Sequence, residues 1–121
     1  MLDDIEYDEP TLRLLATNLE DPDVLEVFGL VCKFVDKGGF TKTMLINYGT
    51  KRRRYDNAFL ILESTKFIKK METGRSSHYF PTIRGKRLAE FLINKANLPI
   101  ENFKKLTDEE YEQYISQLKR K

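Results

Sequence analysis

One stretch of the chain, residues 21–39, carries a helix start signal and a helix stop signal around a regular apolar pattern. Asp21 can cap a helix, and Pro22 suits its first turn, where a missing backbone N–H costs nothing. Apolar residues then recur at the spacing of one helix face, namely Val24, Val27, Phe28, Val31 and Val35. Gly38-Gly39 suits a left-handed C-cap. The pattern predicts a buried helix, with Cys32 as a small core residue beside it.

Shorter helices are predicted on both sides of this stretch. Residues 1–9 are acidic and offer little to bury, so we expect a loose arm there. After Pro10, leucines at positions 12, 14, 15 and 19 indicate a short helix without a single clean face. Thr41 or Thr43 can cap a second short helix through Met44, Leu45 and Ile46, which Gly49 ends.

A third helix is predicted over residues 51–64, and its two sides differ in chemistry. On a helical wheel the side facing the core carries Tyr55, Ala58, Phe59 and Leu62. Arg53 and Asn57 lie on the opposite side, flanked by Arg54 and Leu60, and Lys51 and Arg52 fall in the first turn. This helix is therefore amphipathic, with a basic outer side.

The next segment has the pattern of a β-hairpin followed by a helix. Strands are expected at residues 69–72 and 78–80, joined by turn residues at 73–77. Pro81 ends the second strand because it cannot donate to the ladder, and Thr82 can cap a fourth helix. The buried stripe of that helix consists of Leu88, Phe91 and Leu92.

A last helix follows the break at Asn97-Leu98-Pro99. Thr107 and Glu110 form a capping box, and the apolar face that follows comprises Tyr111, Tyr114, Ile115 and Leu118. A helix of about 13 residues is marginal in isolation, so this face must be buried. Its own domain and a partner chain both remain open as the surface that buries it.

Helix, short helix, turn, helix and hairpin is the order of a winged helix-turn-helix. Residues 40–93 resemble winged-helix transcriptional regulators, particularly small archaeal-type ones. The resemblance lies in Phe59-x-x-Leu62 leading to Lys66-Phe67-Ile68, and in Tyr79-Phe80-Pro81-Thr82-Ile83-Arg84-Gly85. Lys66 stands where such families often have glycine, and Pro81 replaces the usual apolar residue, so the second wing strand is expected to stop early.

The expected fold is therefore mainly α with a small β-hairpin wing (α+β), and the resemblance implies a winged helix-turn-helix with a C-terminal helical extension. Three segments are expected: an acidic arm and short helix at residues 1–20, the winged helix-turn-helix at 21–96, and a C-terminal amphipathic helix at 97–121.

The charge of the chain is strongly segregated along the sequence. Residues 1–41 hold three bases and ten acids, a net charge of −7, whereas residues 42–87 hold twelve bases and three acids, a net charge of +9. Residues 88–121 hold six of each. The whole-chain charge of +2 therefore conceals a basic segment that favours a polyanionic partner.

Double-stranded DNA is the partner that fits this segment, because Lys and Arg neutralise phosphates and a helix fits the major groove. We expect Arg53 and Asn57 to reach base edges, since arginine pairs with guanine and asparagine with adenine, and Arg54 lies beside them as a further DNA-binding candidate. The other candidate DNA-binding residues are Thr43, Lys51, Arg52, Lys69, Lys70 and Arg75. Arg75 suits a narrow minor groove, and the rest suit phosphates.

Other function classes find little support in the sequence. One cysteine and one histidine supply no metal-ligand spacing, and no glycine-rich phosphate loop is present. A lone cysteine suits a reducing compartment, so we expect the protein to be cytoplasmic. We also expect it to be a homodimer that is not an enzyme and uses no cofactor. The predicted function is a sequence-specific DNA-binding transcriptional regulator, and the alternative is a winged-helix protein-interaction module within a multi-subunit assembly.

Overall fold

Five α-helices and one β-hairpin make up the described part of the chain, residues 6–120, in the computed structural model. The expected α+β class is confirmed. The elements in chain order are α1 (Glu9–Ala16), α2 (Pro22–Lys33), α3 (Arg52–Ser64), β1 (Ile68–Thr73), β2 (Ser76–Pro81), α4 (Ile83–Asn94) and α5 (Asp108–Lys119). Short 3-10 turns lie at Thr17–Glu20, Lys42–Met44 and Ile100–Asn102.

The central helix α2 forms as its capping residues predict, but it is shorter than expected. The Asp21 carboxylate accepts hydrogen bonds from the backbone N–H groups of Asp23 and Val24. The four apolar residues Val24, Val27, Phe28 and Val31 are fully buried. The helix ends at Lys33, so the prediction that Val35 belongs to the same helical face is wrong. Turns fill the interval before Gly38 and Gly39, which both have positive φ.

The predicted second helix through Ile46 is wrong, because only a 3-10 turn at Lys42–Met44 forms there. Leu45, with φ −69° and ψ 122°, leaves the helical region and buries its side chain in the core. An apolar run of three residues is too short to repay helix nucleation, so burial of Leu45 decides the local conformation.

The hairpin packs on α3 through aromatic rings. Antiparallel pairing runs from Ile68 opposite Pro81 to Thr73 opposite Ser76, so both strands are longer than expected and β2 includes Pro81 instead of stopping before it. The turn is tighter than predicted, because Ser76 already pairs with Thr73. The ring of Tyr79 lies 4.5 Å from that of Phe59 on α3, and an isolated antiparallel bridge joins Tyr79 to Phe40.

Thr82 fixes the junction between the hairpin and α4. Its Oγ1 accepts a hydrogen bond from the Gly85 N–H at 3.0 Å and donates one to the Lys66 carbonyl at 2.6 Å. The N-cap prediction for Thr82 is thus confirmed. Leu88 and Leu92 are buried, and Phe91 is only partly buried against the same core.

The loose arm predicted for residues 1–9 is wrong for residues 6–9, and residues 1–5 lie outside the described part of the chain. Glu9 already begins α1. The ring of Tyr7 packs edge-on against Phe67 at 5.8 Å, and its hydroxyl donates to the Thr65 carbonyl at 2.7 Å. The Glu6 carboxylate also accepts a hydrogen bond from Arg87 at 2.9 Å, so Tyr7 and Glu6 both hold this acidic segment against the rest of the chain.

The C-terminal helix α5 packs on its own chain through its first turns. The predicted capping box between Thr107 and Glu110 is present. The rings of Tyr111 and Tyr114 lie 5.8 and 5.2 Å from that of Phe34, and the Tyr114 hydroxyl donates to the Met44 carbonyl at 2.7 Å. Further along the same face, Ile115 and Leu118 remain partly exposed.

The three expected segments share one hydrophobic core. Leu12 and Leu19 from the first segment and Phe103 from the last join the cluster built around Phe28. Phe103 lies 5.8 Å from Phe28, ring centre to ring centre. Among residues 6–120, no helix has the length and apolarity that crossing a bilayer requires.

Candidate nucleic-acid interface

Helix α3 separates its core side from its basic side as the sequence predicts. Tyr55, Ala58, Phe59 and Leu62 are 0–1% exposed. Arg53 and Asn57, one turn apart, are both exposed. Neither has a hydrogen bond or ion pair with a side chain among residues 6–120, so both are available to an external partner.

The amino end of α3 carries charge that does not favour the helix itself. Its first turn contains Arg52, Arg53 and Arg54 and no acidic residue, and no side-chain cap forms at Lys51 within the described chain. The helix dipole makes this end positive, so clustered cations there repel it. By contrast, α1, α2 and α5 have acidic first turns, whereas α4 has none and is capped by Thr82. The positive charge that Arg52 and Arg53 place at this helix end is therefore unfavourable for the helix dipole, and an anion there would relieve the repulsion.

Arg54 differs from Arg53 because it is held by α2. Its Nε lies 2.7 Å from the carboxylate of Asp23, which is only 8% exposed. The hydrogen bond and negative charge of Asp23 raise the pKa of Arg54. One residue further on, the Tyr55 hydroxyl donates to the Glu26 carboxylate at 3.0 Å. These two contacts tie the start of α3 to the start of α2.

A second cluster ties α3 to the turn that precedes it. Asp56 accepts a hydrogen bond from the Tyr48 hydroxyl at 2.8 Å and forms an ion pair with Lys42 at 3.1 Å. Desolvation acts to raise the pKa of Asp56, but the contacts from Tyr48 and Lys42 outweigh it and lower the pKa below its ordinary value. The guanidinium of Arg52 lies 5.4 Å from the centre of the Tyr48 ring. Arg52 is thus oriented by stacking while its charge stays exposed.

The hairpin presents the remaining basic candidates. Lys69 and Lys70 lie on β1, whose residues after Ile68 are all exposed, and Lys70 sits 3.7 Å from Glu72. Arg75 is exposed in the two-residue loop, where it follows the positive φ of Gly74. Because Phe59 and Tyr79 pack together, this hairpin adjoins α3.

The basic candidates fall into two groups according to their partners. Arg54 and Lys70 are paired with acids. The candidate Thr43, which is not basic, is exposed, and its hydroxyl lies 3.1 Å from that of Thr41. Within residues 6–120 no carboxylate forms an ion pair with the other candidates, which are Lys51, Arg52, Arg53, Lys69 and Arg75.

Sequence reasoning misses the residues that hold α3 in place. The sequence does not predict the contacts of Asp23, Glu26, Lys42, Tyr48 and Asp56. Each of these contacts joins different elements, so no periodic pattern within one element reports it.

The described residues contain no cluster of metal-ligating side chains. No three His, Cys, Asp or Glu side chains among them lie close enough to hold a metal ion. Burial raises the pKa of Cys32 to about 12, so its thiol stays protonated and unreactive. The chain matches no family model, no curated protein and no solved structure.

Proposed function

We propose that this protein is a sequence-specific double-stranded DNA-binding transcriptional regulator. Helix α3 would enter the major groove, and the β1–β2 hairpin would contact the backbone and the minor groove. The observation that carries the proposal is the outer side of α3, where Arg53 and Asn57 are exposed and have no side-chain partner among residues 6–120, beside an arginine-rich helix start. Arg53 forms no ion pair among residues 6–120, and a polyanion would neutralise its charge.

The order of elements supports a winged-helix interpretation of the fold. Helix α2, the 3-10 turn at Lys42–Met44, helix α3 and the hairpin follow one another in the order of that fold. The bridge between Phe40 and Tyr79 corresponds to the short additional strand that would widen the hairpin into a three-stranded sheet. The short turn in place of a full second helix is the main departure.

Each basic residue receives a role from its surroundings. Arg53 and Asn57 would read guanine and adenine, because both side chains can make bidentate hydrogen bonds with those bases. Lys51, Lys69, Lys70 and Thr43 would contact phosphates, and Arg75 would enter the minor groove. Arg54 and Arg52, held by Asp23 and Tyr48, would orient the helix start and face the backbone.

A homodimer acting without a cofactor completes the proposal. Because Tyr111 and Tyr114 pack on their own chain, the surface of α5 left for a second copy centres on Ile115 and Leu118. Two copies of α3 would then meet half-sites about 34 Å apart, which is one turn of DNA.

The first experiment is to select bound fragments from random duplex DNA with the purified protein and to measure affinity against salt concentration. A DNA-binding protein gives a steep negative slope of log affinity against log salt, and a specific one retains affinity for the selected sequence at moderate salt. Flat salt dependence, or equal affinity for all duplexes, would contradict the proposal and favour a protein-interaction module.

The second experiment separates base reading from phosphate contact. We expect Arg53→Ala and Asn57→Ala to weaken binding of the selected duplex by roughly 5- to 100-fold while binding of random duplex changes less. Lys51→Ala should weaken both to a similar degree and reduce the salt slope by about 1. Lys104→Ala removes an equal charge from an exposed position between α4 and α5 and serves as the matched control. Unchanged sequence preference in the first two variants would exclude α3 as the recognition helix.

A further inference from the structure

Leu60 is the exposed apolar residue on the otherwise polar outer side of α3. Its side chain is 61% exposed, whereas Ala58, Phe59 and Leu62 on the same helix are fully buried. A single exposed leucine needs no explanation by itself. What distinguishes Leu60 is its alignment with the two exposed residues that the proposed function assigns to base reading.

The three residues form one row along the helix. Arg53, Asn57 and Leu60 occupy positions i, i+4 and i+7, which fall within an arc of about 60° at 100° per residue. Seven residues of α-helix rise about 10 Å, which is roughly the rise of three base pairs. A helix that presents Arg53 and Asn57 to base edges would therefore present Leu60 to the same groove.

The chemistry of the major groove supplies a partner for such a side chain. The C5-methyl group of thymine is the apolar feature that a base pair presents there, and apolar side chains recognise it by contact. We infer that Leu60 is a specificity-determining residue that packs on a thymine methyl group, so that Arg53, Asn57 and Leu60 together read guanine, adenine and thymine within one half-site. This inference rests on the proposed function.

The test removes the methyl group without changing base pairing. In the selected duplex each thymine of a half-site is replaced in turn by uracil, which pairs with adenine but lacks the C5-methyl group. Affinity is measured by fluorescence anisotropy for the wild-type protein, Leu60→Ala and Leu14→Ala. Leu14 is 69% exposed on α1 and provides a matched control for loss of an exposed leucine.

We expect one thymine at which uracil weakens wild-type binding by roughly four- to fifteenfold, the range set by burial of one or two methyl-sized groups. Leu60→Ala should bind the two duplexes equally, whereas Leu14→Ala should keep the wild-type ratio. Thermal unfolding of Leu60→Ala should match that of the wild type, because the side chain is largely outside the core.

Three outcomes would overturn the inference while leaving the proposed function standing. They are a selected half-site without thymine, wild-type affinity that is the same for thymine and uracil at every position, and a thymine preference that persists in Leu60→Ala. If the protein binds no duplex selectively, the proposed function fails and this inference fails with it.

Discussion

Lys66 adopts a backbone conformation that residues other than glycine rarely take, with φ +65°. It follows the C-cap of α3, where the Phe67 N–H bonds to the Leu62 carbonyl and the Lys66 N–H to the Glu63 carbonyl. These two bonds define a Schellman motif, whose left-handed residue is usually glycine. The substitution of lysine for glycine expected at this position therefore leaves the cap intact and stores strain in it.

Relief of that strain is a prediction at the residue scale. Lys66→Gly should raise the free energy of unfolding by roughly 0.5–1 kcal/mol, because the cost of a left-handed side-chain residue exceeds the added flexibility of the unfolded chain. Urea denaturation measures the change. Lys66→Ala removes the charge but keeps the Cβ atom, so it should give no such gain; equal stabilisation by both variants would point to charge and not to backbone strain.

Asp56 gives a prediction about pH. Its folded-state pKa is lowered below the ordinary value of 3.8, so its contribution to stability is present above that pH and is lost as pH falls through the lower folded value. Asp56→Asn should therefore reduce the free energy of unfolding at pH 7, by no more than about 1 kcal/mol since the side chain is partly exposed. Below the folded pKa the difference from the wild type should vanish.

The measurement is urea denaturation of both proteins between pH 7 and pH 2. Glu63→Gln removes the same charge from the same helix at a side chain without an ion pair among residues 6–120, and its effect should be smaller at pH 7. A deficit of Asp56→Asn that stays constant down to pH 2 would show that ionisation of this carboxyl group does not contribute.

At the scale of elements, Gly85 controls how α4 meets the hairpin. A Cβ atom at this position would lie 2.1 Å from the Phe67 carbonyl oxygen, far inside contact distance. Gly85→Ala should lower the free energy of unfolding by about 3 kcal/mol or more, since backbone atoms on both sides would have to move. Gly49→Ala is the control, because nothing lies within 4 Å of the place its methyl group would take and the φ of Gly49 is not positive.

Thermal or urea denaturation compares the two glycine variants directly. The control should change stability by less than about 0.5 kcal/mol. A Gly85→Ala protein as stable as the control would mean that α4 can shift away from the Phe67 carbonyl at little cost.

Elements with strong local signals can be predicted from the sequence, whereas elements fixed by distant contacts cannot. The N-cap residues Asp21, Thr82 and Thr107 predict the starts of α2, α4 and α5. In each case the side chain of the cap accepts a hydrogen bond from a backbone N–H within the first turn, so the signal is local. The residues after Thr41 permit a helix and therefore predict one, but burial of Leu45 overrides that preference.

The same distinction applies to the candidate site. The exposed side of α3 with Arg53 and Asn57 follows from helical periodicity alone. That Arg54 is held by Asp23 could not be predicted, because the two residues are 31 positions apart and belong to different helices. Helical periodicity predicts which side of a helix a residue occupies, but it does not predict which residue of another helix it contacts.

At the scale of the whole molecule, the proposed dimer makes a prediction about α5. Replacing Ile115 and Leu118 together by glutamate should convert a dimer into a monomer, because both side chains are only partly covered by their own chain. Sedimentation equilibrium measures the mass. The monomeric variant should bind a two-half-site duplex more weakly than the wild type does, with less effect on a single half-site.

The control variant changes a charge elsewhere on the surface of α5. Glu112→Gln lies on the exposed side of α5 and should leave the mass and the affinity unchanged. A wild-type protein that sediments as a monomer at micromolar concentration, or a double variant that remains dimeric, would show that α5 is not the dimer surface.

The division of α3 into a buried row and an outer row has a consequence for how such a chain can change. Tyr55, Phe59 and Leu62 hold the helix against the rest of the protein, while the side chains at positions 53, 57 and 60 are exposed and lie outside that packing. A library randomised at those three outer positions should therefore remain folded in most of its members. The binding preference of such a chain can therefore change by single substitutions at these positions, and each variant along the way remains stably folded.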